Sequence, residues 1–126
     1  MILGGQPPNT PRDIFKPEKI MRPDTEAALA DAISAASSPL AIKGGGTRGV
    51  TLDGDVIETT ALSGITLYEP GSLTLVAQAG TPLAEVEAAL AAEGQRLAFE
   101  PMDHRAVMGT QGTPTLGGVV AANVSG

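Results

Sequence analysis

The chain has 126 residues, a length that suits one domain or part of one. Its formal net charge is −6 at pH 7, which argues against nucleic acid as a partner because nucleic acid requires a basic surface. The sequence contains no cysteine and one histidine, which excludes disulfides, thiolate zinc sites, cysteine nucleophiles and histidine-rich metal sites. No apolar stretch is long enough to span a membrane and no charged-then-apolar leader opens the chain, so we expect a cytoplasmic protein.

The first half of the chain predicts a strand, a helix and a second strand. Residues 1–18 contain four prolines and two glycines, which is typical of a flexible, extended lead-in. A short strand is predicted from Lys19. A helix is predicted from 25 to 37, because Thr25 can cap its start and because apolar residues spaced four apart share one face. The strand PLAIK follows and leads directly into a run of glycines.

The second half predicts further strands and one strong helix. That helix is predicted to have Thr81 as its N-cap, Pro82 at its first helical position and Gly94 as its stop. A shorter helix is predicted at 118–123. Strands are predicted over 55–62, on both sides of Pro70-Gly71, and over QRLAFEP at 95–101. Since strands and helices are mixed without strict alternation, the sequence predicts an α+β fold.

The segment LAIKGGGTRG, residues 40–49, contains the spacing G-x-G-x-x-G after a predicted strand. A Rossmann turn is not indicated, because the β-branched residues and the Asp53-Gly54 turn that follow start no helix. A P-loop is not indicated either, because Lys43 precedes the glycines and no Gly-Lys-Ser/Thr ends the motif. Successive glycines can direct backbone N–H groups into one concavity that binds an anion. A flexible surface turn is the alternative.

A second glycine-rich segment lies near the C-terminus, at 109–126. Its glycines alternate with Leu, Val and Ala, whereas a flexible linker would carry Ser, Glu and Lys. Small apolar residues of this kind suit a backbone that lies close to a flat ligand or to another backbone. The alternative is a tight contact between a helix and a strand.

The order of these motifs resembles the flavin-binding domain of the vanillyl-alcohol oxidase and p-cresol methylhydroxylase family. The resemblance runs from about residue 20 to the C-terminus. It is carried by Pro23-Asp24-Thr25-Glu26, by LAIKGGGTRG, by residues 65–101 and by TLGGVVAANVSG at 115–126. Within this family, Tyr68-Glu69-Pro70, Ala79-Gly80-Thr81-Pro82-Leu83 and Phe99-Glu100-Pro101 resemble the flavin-binding subunits of bacterial glycolate oxidases.

The resemblance implies the N-terminal part of such a domain, with a small mixed sheet and two main helices. FAD would lie between a first subdomain at 19–101 and a second that begins at 102–126 and is truncated. Thr47 stands where many relatives carry the histidine that links the flavin, so the implied FAD is non-covalent. The implied FAD-binding residues are Gly44, Gly45, Gly46, Thr47, Arg48, Pro101, Thr115, Gly117, Gly118, Asn123 and Gly126. No catalytic or metal-binding residue is assigned.

The resemblance also implies a function, namely the FAD-binding segment of a glycolate or other 2-hydroxy-acid oxidase or dehydrogenase. Its implied partners are a second flavoprotein subunit and an iron–sulfur subunit, and the isolated fragment is expected to be inactive and to self-associate. One alternative is a non-catalytic scaffold or assembly subunit that retains the fold. Another is a nucleotide-phosphate-binding protein of unrelated fold. Asp103-His104-Arg105 is interpreted as a polar loop rather than a catalytic cluster.

Overall fold

The computed structural model describes residues 19–50 and 53–123, so the lead-in predicted at 1–18 lies outside the described residues. The fold is α+β, as the sequence predicts. Its strands are β1 (Ile20–Met21), β2 (Leu40–Lys43), β3 (Asp55–Glu58), β4 (Ile65–Glu69) and β5 (Thr74–Ala77). Its helices are α1 (Glu26–Ser34), α2 (Leu83–Ala92), α3 (Arg105–Met108) and α4 (Leu116–Ala122), with a 3₁₀ turn at Pro70–Ser72.

The first three strands form a parallel sheet in the order β1-β3-β2. The central strand β3 carries Ile57, which is fully buried, and its neighbour β2 carries buried Ala41. Parallel strands need a crossover connection, which α1 and its flanking loops supply between β1 and β2. The register pairs Lys43 with Glu58, so the carboxyl ends of β2 and β3 meet at one edge, where the glycines begin.

Helix α1 confirms the predicted N-cap but is shorter than predicted. The hydroxyl of Thr25 accepts a hydrogen bond from the backbone N–H of Ala28 at 3.1 Å. The helix ends at Ser34 rather than at 37, because Ala36 donates to the carbonyl of Ile33 and this tighter i→i+3 bond closes the last turn. None of its residues is buried, and Ile33 is 50% exposed.

Strands β4 and β5 form an antiparallel hairpin that is separate from the parallel sheet. The two strand orientations therefore lie in two small sheets rather than in one mixed sheet. The turn between the strands ends at Leu73, which has a φ of 51°. The hydroxyl of Tyr68 donates to Gln95 at 2.6 Å, and the Gln95 amide donates to the carbonyl of Pro70 at 2.9 Å.

The strand predicted at 95–101 is wrong, because residues Gln95–Glu100 are irregular. The backbone N–H of Gln95 donates to the carbonyl of Leu90 at the end of α2, so it is not available to pair with a strand. The start predicted for the strong helix is also wrong by one residue, because Pro82 is the N-cap of α2. The stop at Gly94 is confirmed, with a φ of 67°.

Thr81 is fully buried and does not cap α2. Its hydroxyl donates to the carbonyl of Gln78 at 2.6 Å and accepts a hydrogen bond from the backbone N–H of Gly64 at 2.9 Å, which ties two loops together. The hydrophobic core among the described residues consists of Ala41, Ile57, Leu62, Val86, Leu90 and Val119. Within 19–50 and 53–123, no helix has the length and hydrophobicity needed to cross a bilayer.

Candidate functional site

The glycine loop, defined here as Gly44–Gly49, packs against a tail segment, defined as Thr110–Gly118. A Cβ placed on Gly45 would lie 2.8 Å from the carbonyl carbon of Thr113 and closer still to its oxygen. A Cβ on Gly112 would clash in the same way with the carbonyl oxygen of Gly45. The hydroxyl of Thr110 donates to the carbonyl of Thr47. These glycines therefore allow two backbones to lie in direct contact.

The tail segment is also attached to the start of α2. The backbone N–H of Leu83 donates to the carbonyl of Pro114, and that of Leu116 donates to the carbonyl of Thr81, each at 2.9 Å. A Cβ on Gly117 would lie 2.8 Å from the side chain of Ala79. Glycine at 117 is therefore required by the close approach of helix α4 to the loop before α2.

Two buried threonines lie at this junction. Thr115 is 3% exposed and caps α4, because its hydroxyl accepts a hydrogen bond from the backbone N–H of Gly118 at 3.2 Å. The same hydroxyl would be 3.0 Å from a Cβ on Gly44, so it faces the start of the glycine loop. Thr47 is 4% exposed and lies in the interior rather than on the surface. Both threonines help to fix the shape of the loop.

The backbone of the glycine loop has unused hydrogen-bond donors. None of the N–H groups from Gly44 to Gly49 donates to another of the residues that the structure describes. Gly46 is exposed and has a φ of 71°. A positive φ next to residues of negative φ is the kind of backbone in which successive N–H groups can bind an anion. The loop thus combines a fixed conformation with unsatisfied donors.

Two cationic side chains flank the glycine loop. The Nη1 atom of Arg48 would lie 3.0 Å from a Cβ on Gly118, so the guanidinium covers the start of α4. The Nε atom of Arg48 is buried and has no hydrogen-bond partner among the described residues. On the other side, Cε of Lys43 would lie 3.2 Å from a Cβ on Gly46. A buried donor without a partner and a nearby ammonium both favour an anionic ligand here.

The structure brings most, but not all, of the predicted site residues together. The glycine loop meets Thr115 and Gly118 at one junction, as described above. Pro101 lies elsewhere, in a cleft of about 830 Å³ beside Phe99 and Glu87. Asn123 is the exposed C-cap of α4, about 12 Å along the helix axis from Thr115. Gly126 lies outside the described residues.

An apolar groove of about 630 Å³ lies apart from the glycine loop. It is formed by the hairpin, α2 and α4, together with the irregular segment after α2. Leu73 and Val120 contribute to it and are 82% and 68% exposed. Neither this groove nor the cleft beside Pro101 contains a residue of the glycine loop, so these two clefts and the anion-binding features are at different places.

Asp103 forms a hydrogen-bonded ion pair with Arg105. Its carboxylate accepts hydrogen bonds from the Arg105 side chain at 2.7 and 3.0 Å and from the Arg105 backbone N–H at 3.0 Å. The Arg105 side-chain hydrogen bonds lower the pKa of Asp103 to about 2. A carboxylate held in this way is a weak base, which agrees with its interpretation as part of a polar loop.

Comparison with known proteins identifies the ligand class. The sequence profile of the FAD binding domain matches residues 17–126. This chain belongs to that family. FAD is therefore the cofactor of the domain. No solved structure gives a significant match to the chain.

The FAD-binding domain is also similar to glycolate oxidase subunit GlcE of Escherichia coli (strain K12). The two sequences are 34% identical over 109 residues, which cover 82% of this chain and 29% of GlcE. The chain thus spans less than a third of the length of this curated relative.

The glycine loop fits the diphosphate of FAD. A diphosphate is an anion with several acceptor oxygens, and the loop offers backbone N–H groups and the unpartnered Nε of Arg48. The exposed position of Gly46 leaves the backbone open to such a ligand. The sequence predicts the loop as a binding site but does not predict the approach of Lys43, because a lysine before the glycines gives no signal that its side chain turns back over them.

Proposed function

We propose that this FAD-binding domain serves a flavin-dependent oxidoreductase subunit that acts on glycolate or a related 2-hydroxy acid. The observation that carries the proposal is the glycine loop with its unused N–H donors and the buried Nε of Arg48. The 34% identity to a glycolate oxidase subunit supports the substrate class. We also propose that the protein works in the cytoplasm.

The proposed role of this chain is to bind and orient the cofactor. FAD supplies the electron acceptor for hydride removal from the alcohol carbon of the substrate. The N–H groups of the glycine loop and the guanidinium of Arg48 would hold the diphosphate. The proposed FAD-binding residues also include Thr115, Gly117 and Gly118, which shape the junction between the glycine loop and the tail segment. We also assign to FAD three residues that are not at this junction, namely Pro101, Asn123 and Gly126.

We further propose that the FAD is bound without a covalent bond. Thr47 stands where relatives carry a linking histidine, and its side chain is buried against the tail segment. The single histidine, His104, lies in the polar loop before α3 and far along the chain from the glycines. Yellow colour that stays with acid-precipitated full-length protein would contradict this assignment.

The proposed assembly contains a second flavoprotein subunit and an iron–sulfur subunit. Residues 19–101 are proposed as the first FAD-binding subdomain and 102–126 as the beginning of the second. The exposed apolar side chains of the groove, such as Leu73, would then face other parts of the assembly. The isolated 126-residue chain is accordingly proposed to be inactive and to self-associate, which sedimentation over a range of concentrations would measure.

The decisive experiment uses the full-length protein. Its visible absorbance spectrum reports bound flavin, and anaerobic addition of glycolate or D-lactate reports reduction as loss of that absorbance. Full-length protein without flavin would favour the non-catalytic scaffold. Bound flavin that neither acid reduces, alone or with the partner subunits present, would overturn the substrate class while leaving FAD binding intact.

A further inference from the structure

We propose that Lys43 is a diphosphate-binding residue of this domain and that Glu58 holds its ammonium group over the glycine loop. This inference rests on the proposed placement of the FAD diphosphate at that loop. Lys43 is the last residue of β2, and the chain turns away from it at the first glycine. Its side chain nevertheless returns to the loop.

The geometry follows from the lack of a side chain at residue 46. Around the position that a Cβ of Gly46 would occupy, Cε of Lys43 lies at 3.2 Å and Nζ at 3.9 Å. The ammonium therefore stands beside the backbone whose N–H groups have no partner among the described residues. The positive φ of Gly46 shapes the loop, and the absence of a Cβ there leaves room for the lysine.

Glu58 attracts the Lys43 ammonium group without accepting a hydrogen bond from it. One carboxylate oxygen of Glu58 accepts a hydrogen bond from Nε of Arg22 at 2.8 Å. The other oxygen lies 3.9 Å from Nζ of Lys43, which is too far for a hydrogen bond. Glu58 is 14% exposed, whereas the Lys43 side chain is 55% exposed. The carboxylate is fixed, and the ammonium is oriented but free to donate.

The charge balance explains why such a cation is needed. The chain carries a net charge of −6, so its overall field repels a diphosphate. Lys43 immediately precedes the glycine loop and Arg48 is within it, and both supply positive charge locally. The three N–H donors of Lys43 are unused by any other described residue, so binding an anion costs no existing hydrogen bond. Arg22 continues to neutralise Glu58 when Lys43 moves to the ligand.

The experiment is an NMR titration of the full-length protein after its flavin has been removed, in which the amide signals of Gly44, Gly45 and Gly46 report ligand at the loop. FAD is compared with riboflavin, which lacks the phosphates. We expect Lys43→Gln to weaken FAD binding about threefold or more, to leave riboflavin unchanged and to reduce the loss of FAD affinity with added salt. Lys43→Arg should retain most of the affinity.

The control is Lys19→Gln, which removes an exposed lysine at the start of the same sheet and should leave FAD affinity within about 1.5-fold. Unchanged FAD affinity in Lys43→Gln, with the glycine signals still shifting, would overturn the role of Lys43 and leave the diphosphate site standing. If Lys43→Gln weakened the binding of FAD and of riboflavin equally, Lys43 would have a structural role and would not bind the diphosphate. Glycine signals that ignore millimolar FAD would overturn the diphosphate placement itself, while flavin on the full-length protein would still decide the proposed function.

Discussion

Substitution of Gly45 by alanine tests the contact between the glycine loop and the tail segment. The new Cβ would lie 2.8 Å from the carbonyl carbon of Thr113, against an optimal carbon–carbon separation of about 3.5–4.0 Å. Its contact with the carbonyl oxygen of Thr113 would be shorter still, so the two backbones must separate by more than about 1 Å at this point. The tail segment cannot yield freely, because it is hydrogen-bonded to Thr81 and Leu83 at the start of α2.

The expected cost of Gly45→Ala is that of overpacking a well-filled site, about 1–3 kcal/mol in the free energy of unfolding. Gly71→Ala is the matched control, because a Cβ there meets nothing within 4 Å and its φ is not positive. Its stability should change by about 0.5 kcal/mol or less. Urea denaturation of both variants, followed by far-UV circular dichroism, gives the comparison. Equal stability of the two variants would refute the packing of the loop against Thr113.

Three further predictions concern other parts of the fold. Thr81→Val should destabilise the chain by about 1–3 kcal/mol in urea denaturation, because the backbone N–H of Gly64 loses its buried acceptor; a neutral result would show that this hydroxyl is dispensable. The pKa of Asp103 is lowered to about 2 by Arg105, so the stability that this pair contributes is present above the ordinary carboxyl pKa of 3.8 and is lost as the pH falls toward 2. Arg105→Gln should raise that pKa toward 3.8 in a carboxyl NMR titration, and an unmoved titration would contradict the pairing. The pKa of Tyr68, the single tyrosine, is raised by desolvation first and by Glu93 second, so Glu93→Gln should lower it only in part in an ultraviolet titration.

The features that the sequence predicts correctly depend on a few neighbouring residues. The N-cap at Thr25 needs only a hydroxyl and the N–H three residues on, and the stop at Gly94 needs only a residue that tolerates a positive φ. Alternation of side chains likewise predicted β5, whose burial alternates along Thr74–Ala77. These signals are carried by short stretches of chain, so no knowledge of the remaining fold was required.

The features that the sequence missed depend on distant partners. Thr81 has the right residue type and position for a cap, but the carbonyl of Gln78 and the N–H of Gly64 occupy its hydroxyl. QRLAFEP has a strand-like composition, yet Gln95–Glu100 pairs with no described strand, and the Gln95 side chain binds the hairpin through Tyr68 and the carbonyl of Pro70. In each case a tertiary hydrogen bond decides between two locally acceptable structures.

The sequence motif does not show why each glycine is needed. From the sequence, a ligand, a surface turn and a tight backbone contact were all open as reasons for them. Gly45 and Gly112 are required by contact between two segments of this chain, whereas Gly46 has a positive φ and lies next to Lys43. Glycines in one motif thus serve different purposes, and only the three-dimensional contacts distinguish them.

The separation in sequence between the glycine loop and the tail segment affects the timing of biosynthesis. Thr47 and its hydrogen-bond partner Thr110 are 63 residues apart. At a translation rate of about 5–20 residues per second, the ribosome adds Thr110 roughly 3–13 s after Thr47. During that interval the parallel sheet can form, but Gly44–Gly49 lacks both the tail segment that packs against it and the Thr110 hydroxyl that donates to the carbonyl of Thr47. The loop is therefore among the last parts of the nascent chain to acquire its shape, and a ribosome that stalls before Thr110 leaves it unformed.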